Sequence, residues 1–231
     1  MDSDSKAMAI RTWPATERPR ERLIALGAAQ LSDAELLSVC LRTGTPGRNA
    51  VDLGRDLLNR FGSLRALLAC DCEQFCSAPG LGPSKWAALQ AAVEVTRRSL
   101  SEQLRQQDAL SSPASVRQFL ALWLRERPYE AFVALFLDSQ NRLLAADELF
   151  RGTLSQTAVY PRELARRALQ INAAAVILAH NHPSGVAQAS AADRLLTEAL
   201  KSALGQLDIP VLDHLIVAGN ASFSFAERGW L

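Results

Sequence analysis

The chain is 231 residues long and 48% hydrophobic, with 25 basic and 24 acidic side chains and a formal net charge of +1. It carries no apolar signal core and no run near the ~20 apolar residues that span a bilayer, so a soluble, cytoplasmic protein without a membrane partner is expected. Residues 1–105 sum to +2 and residues 106–231 to −1, so neither half has the basic face of a tight, nonspecific nucleic-acid binder.

Residues 1–12 read as a flexible tail. The stretch 13–100 reads as an all-helical domain, with helices over 31–41, 50–60, 63–69 and 84–98 between short Gly and Pro breaks. Before the last of these stands Ala78-Pro79-Gly80-Leu81-Gly82-Pro83-Ser84-Lys85. Gly-hydrophobic-Gly ahead of a helix resembles the hairpin of helix-hairpin-helix DNA-binding motifs. Gly80 and Gly82 would let backbone approach a phosphate, the helix start offers unpaired amides, and Lys85 adds a charge. Such contacts hold DNA by its backbone with little sequence readout. An ordinary tight turn between helices accounts for the same residues. Arg18, Arg20 and Arg22 read as solvated surface. Cys40, Cys70, Cys72 and Cys76 have no histidine nearby and read as small buried or incidental thiols. No Walker-type phosphate loop occurs.

Residues 101–112, rich in Gln, Ser and charge, read as a linker to a second domain over 113–231. There, strand-like runs are expected near 131–138, 142–152, 175–181, 211–218 and 221–226, with a helix over 161–170. The expected fold class is α/β, a mixed sheet flanked by helices, behind a separate all-α domain.

Within that domain, the apolar run 173–179 reads as a buried strand that ends in His180-Asn181-His182-Pro183-Ser184-Gly185. Side chains two apart on a strand share a face, so His180 and His182 can point together. Pro183 ends regular pairing and Gly185 permits a sharp turn. The chain re-enters a helix near Ser190, and Asp193 in its first turn can face back to the histidines. Two imidazoles and a carboxylate leave one coordination position open, the arrangement that catalytic zinc needs. Ser190-Ala-Ala-Asp193 is also a capping-box-like pattern, in which Asp193 serves only the helix start.

His180-Asn-His182-Pro183, seven residues, then Ser190-x-x-Asp193 resembles the JAMM motif of MPN-type metalloproteases. The wording Ile-Leu-Ala-His-Asn-His-Pro-Ser-Gly resembles the RadC family of bacterial proteins. So do Leu31-Ser-Asp-Ala-Glu-Leu-Leu37, Leu41-Arg-Thr-Gly-Thr45, Phe61-Gly-Ser-Leu64, Phe136-Leu-Asp-Ser-Gln140, Asp213-His-Leu-Ile216 and Ser224-Phe-Ala-Glu-Arg-Gly-Trp230. The resemblance implies one zinc ion per chain on His180, His182 and Asp193, and an oxyanion contact from Ser190. It implies a glutamate base ahead of the first core strand; Glu130 is the best match and Glu148 the competitor. Asn181 departs from the Ser or Thr that peptidase members carry between the histidines, which weakens inference about isopeptide substrates.

Two functions follow from the resemblance. One is a zinc-dependent metallohydrolase acting on a peptide-like substrate, delivered to DNA by the helical domain. The other is a DNA-binding accessory protein of repair or recombination whose metal site is not catalytic. MPN-like domains often pair, so a homodimer is an expectation of the same kind. His214 reads as a structural histidine on a strand beside the site, with an orienting role toward a ligand as the alternative.

Overall fold

Four polar side chains start four helices of the N-terminal part, each satisfying amides that a helix start leaves without partners. Ser32 begins α2 (Asp33–Leu41), Asn49 begins α3 (Ala50–Phe61), Ser63 begins α4 (Leu64–Ala69) and Asp71 begins α5 (Cys72–Cys76). An earlier helix, α1 (Pro19–Leu26), starts on a proline at its first position. The computed structural model describes residues 9–109, 112–125, 127–152 and 159–231. Its contacts divide the chain into two units between Val95 and Thr96, inside the long helix α6 (Pro83–Gln106). The stretch expected as a linker is therefore helical as far as Gln106. Of the expected tail, residues 1–8 lie outside the described residues, and Ile10–Thr12 form a single 3-10 turn.

The N-terminal unit closes around Leu37, Leu41, Leu53, Leu57, Leu67 and Phe75, with Leu81 and Leu89 from the last turn and helix. Sequence reading passed over α1 and α5. The capping box of α2 is complete: Ser32 N–H donates to the Glu35 carboxylate at 2.8 Å, and Glu35 N–H donates to Ser32 Oγ at 3.3 Å. Arg22 adds an ion pair to Glu35 at 2.6 Å. The Ser32 amide is the largest reason that Glu35 lies below the ordinary value of 4.5; burial opposes it, and the Ser32 hydroxyl and Arg22 assist. A carboxyl depressed on folding contributes stability above its unfolded value, and that stability is lost as pH falls through the folded one. Glu35→Gln is thus expected to lower the urea midpoint at pH 7. The gap to wild type closes as pH falls below about 4.5, the ordinary value of a glutamate; a gap that stays constant down to pH 3 would reject this account.

The C-terminal unit is three layers. Its sheet runs β2-β1-β3-β4-β5, from β1 (Glu130–Leu137), β2 (Leu143–Gly152), β3 (Ala175–Asn181), β4 (Val211–Ala218) and β5 (Ala221–Ser224). Only β3 and β4 pair in parallel. Between these two runs α9 (Ala191–Gly205), the crossover that parallel pairing requires. One sheet face, with Ala131, Val133, Leu135, Ile177 and Leu215, packs on α7 (Pro113–Leu124) through Val116, Phe119, Leu120 and Leu124. The other, with Phe132, Ala134, Phe136, Val176 and Leu178, packs on α8 (Pro161–Gln170) and α9 through Leu164, Ala168, Leu200 and Leu204. All seven residues of β3 are buried, because helices cover both faces of the sheet's centre. The α/β class, the mixed sheet and the helix over 161–170 follow the expectation, with β5 ending at Ser224 rather than 226. Among the described residues no helix is long and apolar enough to cross a membrane.

Candidate metal centre

The candidate site forms where β3 ends against the start of α9. His180 is the sixth residue of β3 and His182 follows just past its end. Both lie on the α8–α9 face, since Val176 and Leu178, four and two residues before His180, belong to that core. Ser190 caps α9 and places Asp193 at its third position. Three side chains converge there. His180 Nε2 lies 3.0 Å from His182 Nε2 and 3.3 Å from Asp193 Oδ1, and His182 Nε2 lies 3.6 Å from Asp193 Oδ2. Among the described residues these three form the only such group.

The spacing tests the fit to an ion. Four ligands at 2.0–2.1 Å around a tetrahedral centre stand about 3.3–3.4 Å apart along each edge. The two distances from His180 Nε2, 3.0 and 3.3 Å, lie near that value, while the third runs to the other carboxylate oxygen, Asp193 Oδ2. The donor set, two imidazoles and one carboxylate, suits a divalent ion of zinc type. His182 Nδ1 donates to Val186 O at 2.9 Å, which leaves the Nε2 lone pair for a ligand bond.

Asp193 starts the helix and also faces the histidines. Its Oδ2 accepts from Ser190 N–H and Oγ–H, each at 2.7 Å, while Ser190 Oγ accepts from Asp193 N–H at 3.1 Å. That capping box fixes the carboxylate and leaves Oδ1 turned to His180. The Ser190 proton is committed to Asp193 in this arrangement, so the oxyanion contact implied by resemblance needs that proton released.

The charges follow the geometry. Burial alone pushes the Asp193 carboxyl up, but the adjoining His180 and His182 rings and the Ser190 hydroxyl outweigh it and hold the group far below the usual carboxylate range. His182 is raised above 6.5, first by its hydrogen bond to Asp193, against burial, with the Val186 carbonyl and the charges of Asp193 and Glu130 adding. His214, fully enclosed, is driven well below 6.5 by burial and by the charge of His180.

The Glu130 charge reaches His182 because the strands bring them together. β1 and β3 run antiparallel with Phe132 opposite His180, so Glu130, two residues before Phe132, lies on the side of His182, two residues after His180. Glu130 and Phe132 share a face, and the Phe132 ring stacks on His180 at 6.0 Å. Glu148 does not compete. It pairs with Val133, on the α7 face, and is engaged by Arg127 at 3.5 Å and Arg151 at 3.1 Å.

Asn181, between the histidines, points to the opposite face and is 1% exposed. Its Oδ1 accepts from Ala131 N–H at 2.8 Å, and its Nδ2 donates to Tyr129 O at 2.9 Å and Arg127 O at 3.3 Å. The amide thus grips the backbone on both sides of Glu130, a task that a Ser or Thr hydroxyl could not cover. Asn181→Leu would leave a buried N–H and carbonyl unpaired, a loss of roughly 3 kcal/mol. Urea unfolding is expected to show it, with metal content unchanged.

In the N-terminal unit, Lys85 is turned inward. Its ammonium donates to the carbonyls of Leu41 and Thr43 and to Thr43 Oγ1, and burial lowers its pKa. Gly80 has φ +77°, and a Cβ there would stand 2.1 Å from the Thr45 side chain; no atom crowds Gly82. Close packing within the unit therefore accounts for Gly80 and Lys85. Cys72 and Cys76 face each other at 3.8 Å as free thiols.

Residues 110–230 match the family model described as the RadC-like JAB domain, and residues 10–87 match the UPF0758 N-terminal model. A UPF0758 protein of Thiobacillus denitrificans is 59% identical over 97% of this chain and 100% of its own length. Those of Janthinobacterium sp. and Chromobacterium violaceum are 58% and 57% identical over the same shares. With its histidine pair, helix-borne aspartate and full-length relatives, the chain belongs to the RadC-like JAB domain family, preceded by a UPF0758 N-terminal domain.

Proposed function

We propose that this protein is a zinc-dependent hydrolase of the JAMM type that cleaves an amide or peptide-like bond. The convergence of His180, His182 and Asp193, with Glu130 near enough for its charge to act on His182, carries this reading. Held by His180, His182 and Asp193, zinc would supply a Lewis acid and lower the pKa of a water to roughly 7. Glu130 takes a proton from the attacking water as the new C–O bond forms. It returns that proton to the leaving nitrogen as the C–N bond breaks, and so ends in its starting state. Asp193, pinned by Ser190, keeps its charge throughout. Phe132 walls the site and limits solvent around His180.

The test is a peptide library incubated with the zinc-loaded protein, the chelated protein and the chelated protein with zinc restored. Cleavage that disappears with chelation and returns with zinc supports the reading. No cleavage at any zinc level, with the metal bound, would turn the assignment toward an accessory role. For DNA, the inward turn of Lys85 leaves the amides of Gly82 and Ser84 as the main phosphate contact, so binding would be weak and salt-sensitive.

A further inference from the structure

A chain of hydrogen bonds leads from Asp193 back to His180 through two residues with no part in the ligand set. Thr197, one helical turn after Asp193 on α9, donates its only hydroxyl proton to Asp193 O at 2.6 Å. The same oxygen lies 2.6 Å from His214 Nδ1. With its proton already given, Thr197 Oγ1 can only accept there, so His214 Nδ1 carries a hydrogen. In a neutral ring His214 Nε2 is then bare. It lies 2.9 Å from His180 Nδ1 and must accept from it. His180 Nδ1 thereby holds the proton, and His180 Nε2 turns its lone pair toward His182 and Asp193.

We propose that Thr197 and His214 are positioning residues that lock His180 in its Nδ1–H tautomer, so that Nε2 stands ready for a divalent ion. The relay rests on the metal-site reading above and adds what sets the state of its most buried ligand. Each ring is also fixed in orientation. His214 lies between Phe132, edge-on at 5.4 Å, and Phe225, stacked at 4.8 Å. His180, His214, Thr197 and Asp193 are all buried, so water does not compete for these bonds. The circuit is closed: it begins at the backbone of one ligand and ends at the ring of another. A carbonyl on α9 thus decides which nitrogen of a β3 histidine is free.

The relay is tested on the whole chain, labelled with nitrogen-15, at pH 8 without metal. Two-bond nitrogen–proton correlations read the tautomer of each ring. The expected spectrum has His180 and His214 both protonated at Nδ1. Zinc affinity is then measured by competition with a chromophoric chelator. Thr197→Val removes the acceptor and is expected to mix the tautomers and weaken zinc ~10–100-fold. Thr197→Ser keeps the hydroxyl and is expected to restore both readouts. A wild-type His180 protonated at Nε2 would overturn the relay, as would a folded Thr197→Val that binds zinc within twofold of wild type. If Thr197→Val does not fold, the wild-type spectrum and the serine variant still decide. A wild type that takes no zinc rejects the metal reading, while its tautomer spectrum still accepts or rejects the relay.

Discussion

His182→Ala is expected to weaken zinc binding sharply. Binding energies of structural zinc sites run to about 10–16 kcal/mol, so one ligand in a set of three or four carries roughly 3 kcal/mol or more. The variant should bind on the order of 10²–10³-fold more weakly. The effect is largest as a thermal shift. Zinc at about 1,000 times the wild-type dissociation constant stabilises the folded protein by about 4 kcal/mol, but a variant weakened a few hundredfold by only about 1 kcal/mol. For a unit of this size the wild-type gain corresponds to roughly 10–15 °C. His182 is the right residue to remove, because it lies beyond the end of β3 and is partly exposed, so its loss leaves the sheet's core intact. Metal analysis and a melting curve with and without zinc check the expectation. An equal zinc-dependent shift in both proteins would mean that the ion sits elsewhere.

Glu130→Gln is expected to do the converse: full metal content and a lost reaction. The amide keeps the shape of the carboxylate but cannot accept a proton. Removal of a general base costs about 10²–10⁴ in rate, or roughly 3–5 kcal/mol of transition-state stabilisation. The variant's dissociation constant for zinc should stay close to wild type, since Glu130 contributes charge near His182 and no ligand bond. On any substrate found by the library screen, turnover should fall while KM moves little. A Glu130→Gln protein that cleaves at the wild-type rate would send the search for a base elsewhere on the same face.

Much of the second domain could be read along the chain because burial there is two-sided. β1 and β3 are nearly unbroken apolar runs, since helices cover both faces of the sheet's centre. The histidines and Asp193 were legible because their spacing sits on a strand end and a helix start. Other elements left no periodic trace. α1 exposes Ile24 and Leu26, so its apolar residues do not mark a core-facing stripe. α5 is five residues long and buries only Phe75, too little for a pattern, although Asp71 as a cap was a signal available in advance. In α6 the helix runs past Arg98 because Leu100 and Leu104, four apart, anchor a polar stretch to the core.

The roles of Thr197 and Asn181 could not be read in this way. Thr197 meets a ring 17 residues on, across a helix and a strand, and Asn181 meets backbone 50 residues back. Only the pairing of β3 with β1 and β4 makes these neighbours. Lys85 shows the reverse case: a lysine after a glycine hairpin reads as a phosphate contact, and its neighbours in space are carbonyls at the end of α2.

The first turn of a helix is ordinarily the part that frays, opening and closing many times before the rest unfolds. Here that turn carries Asp193, so each opening of α9 withdraws one jaw of the site. An ion held between β3 and α9 would therefore act as a clasp on a helix end. Amide exchange in the turn after Ser190 should slow when the clasp closes. Ion occupancy could then be timed from the backbone, without any substrate being known.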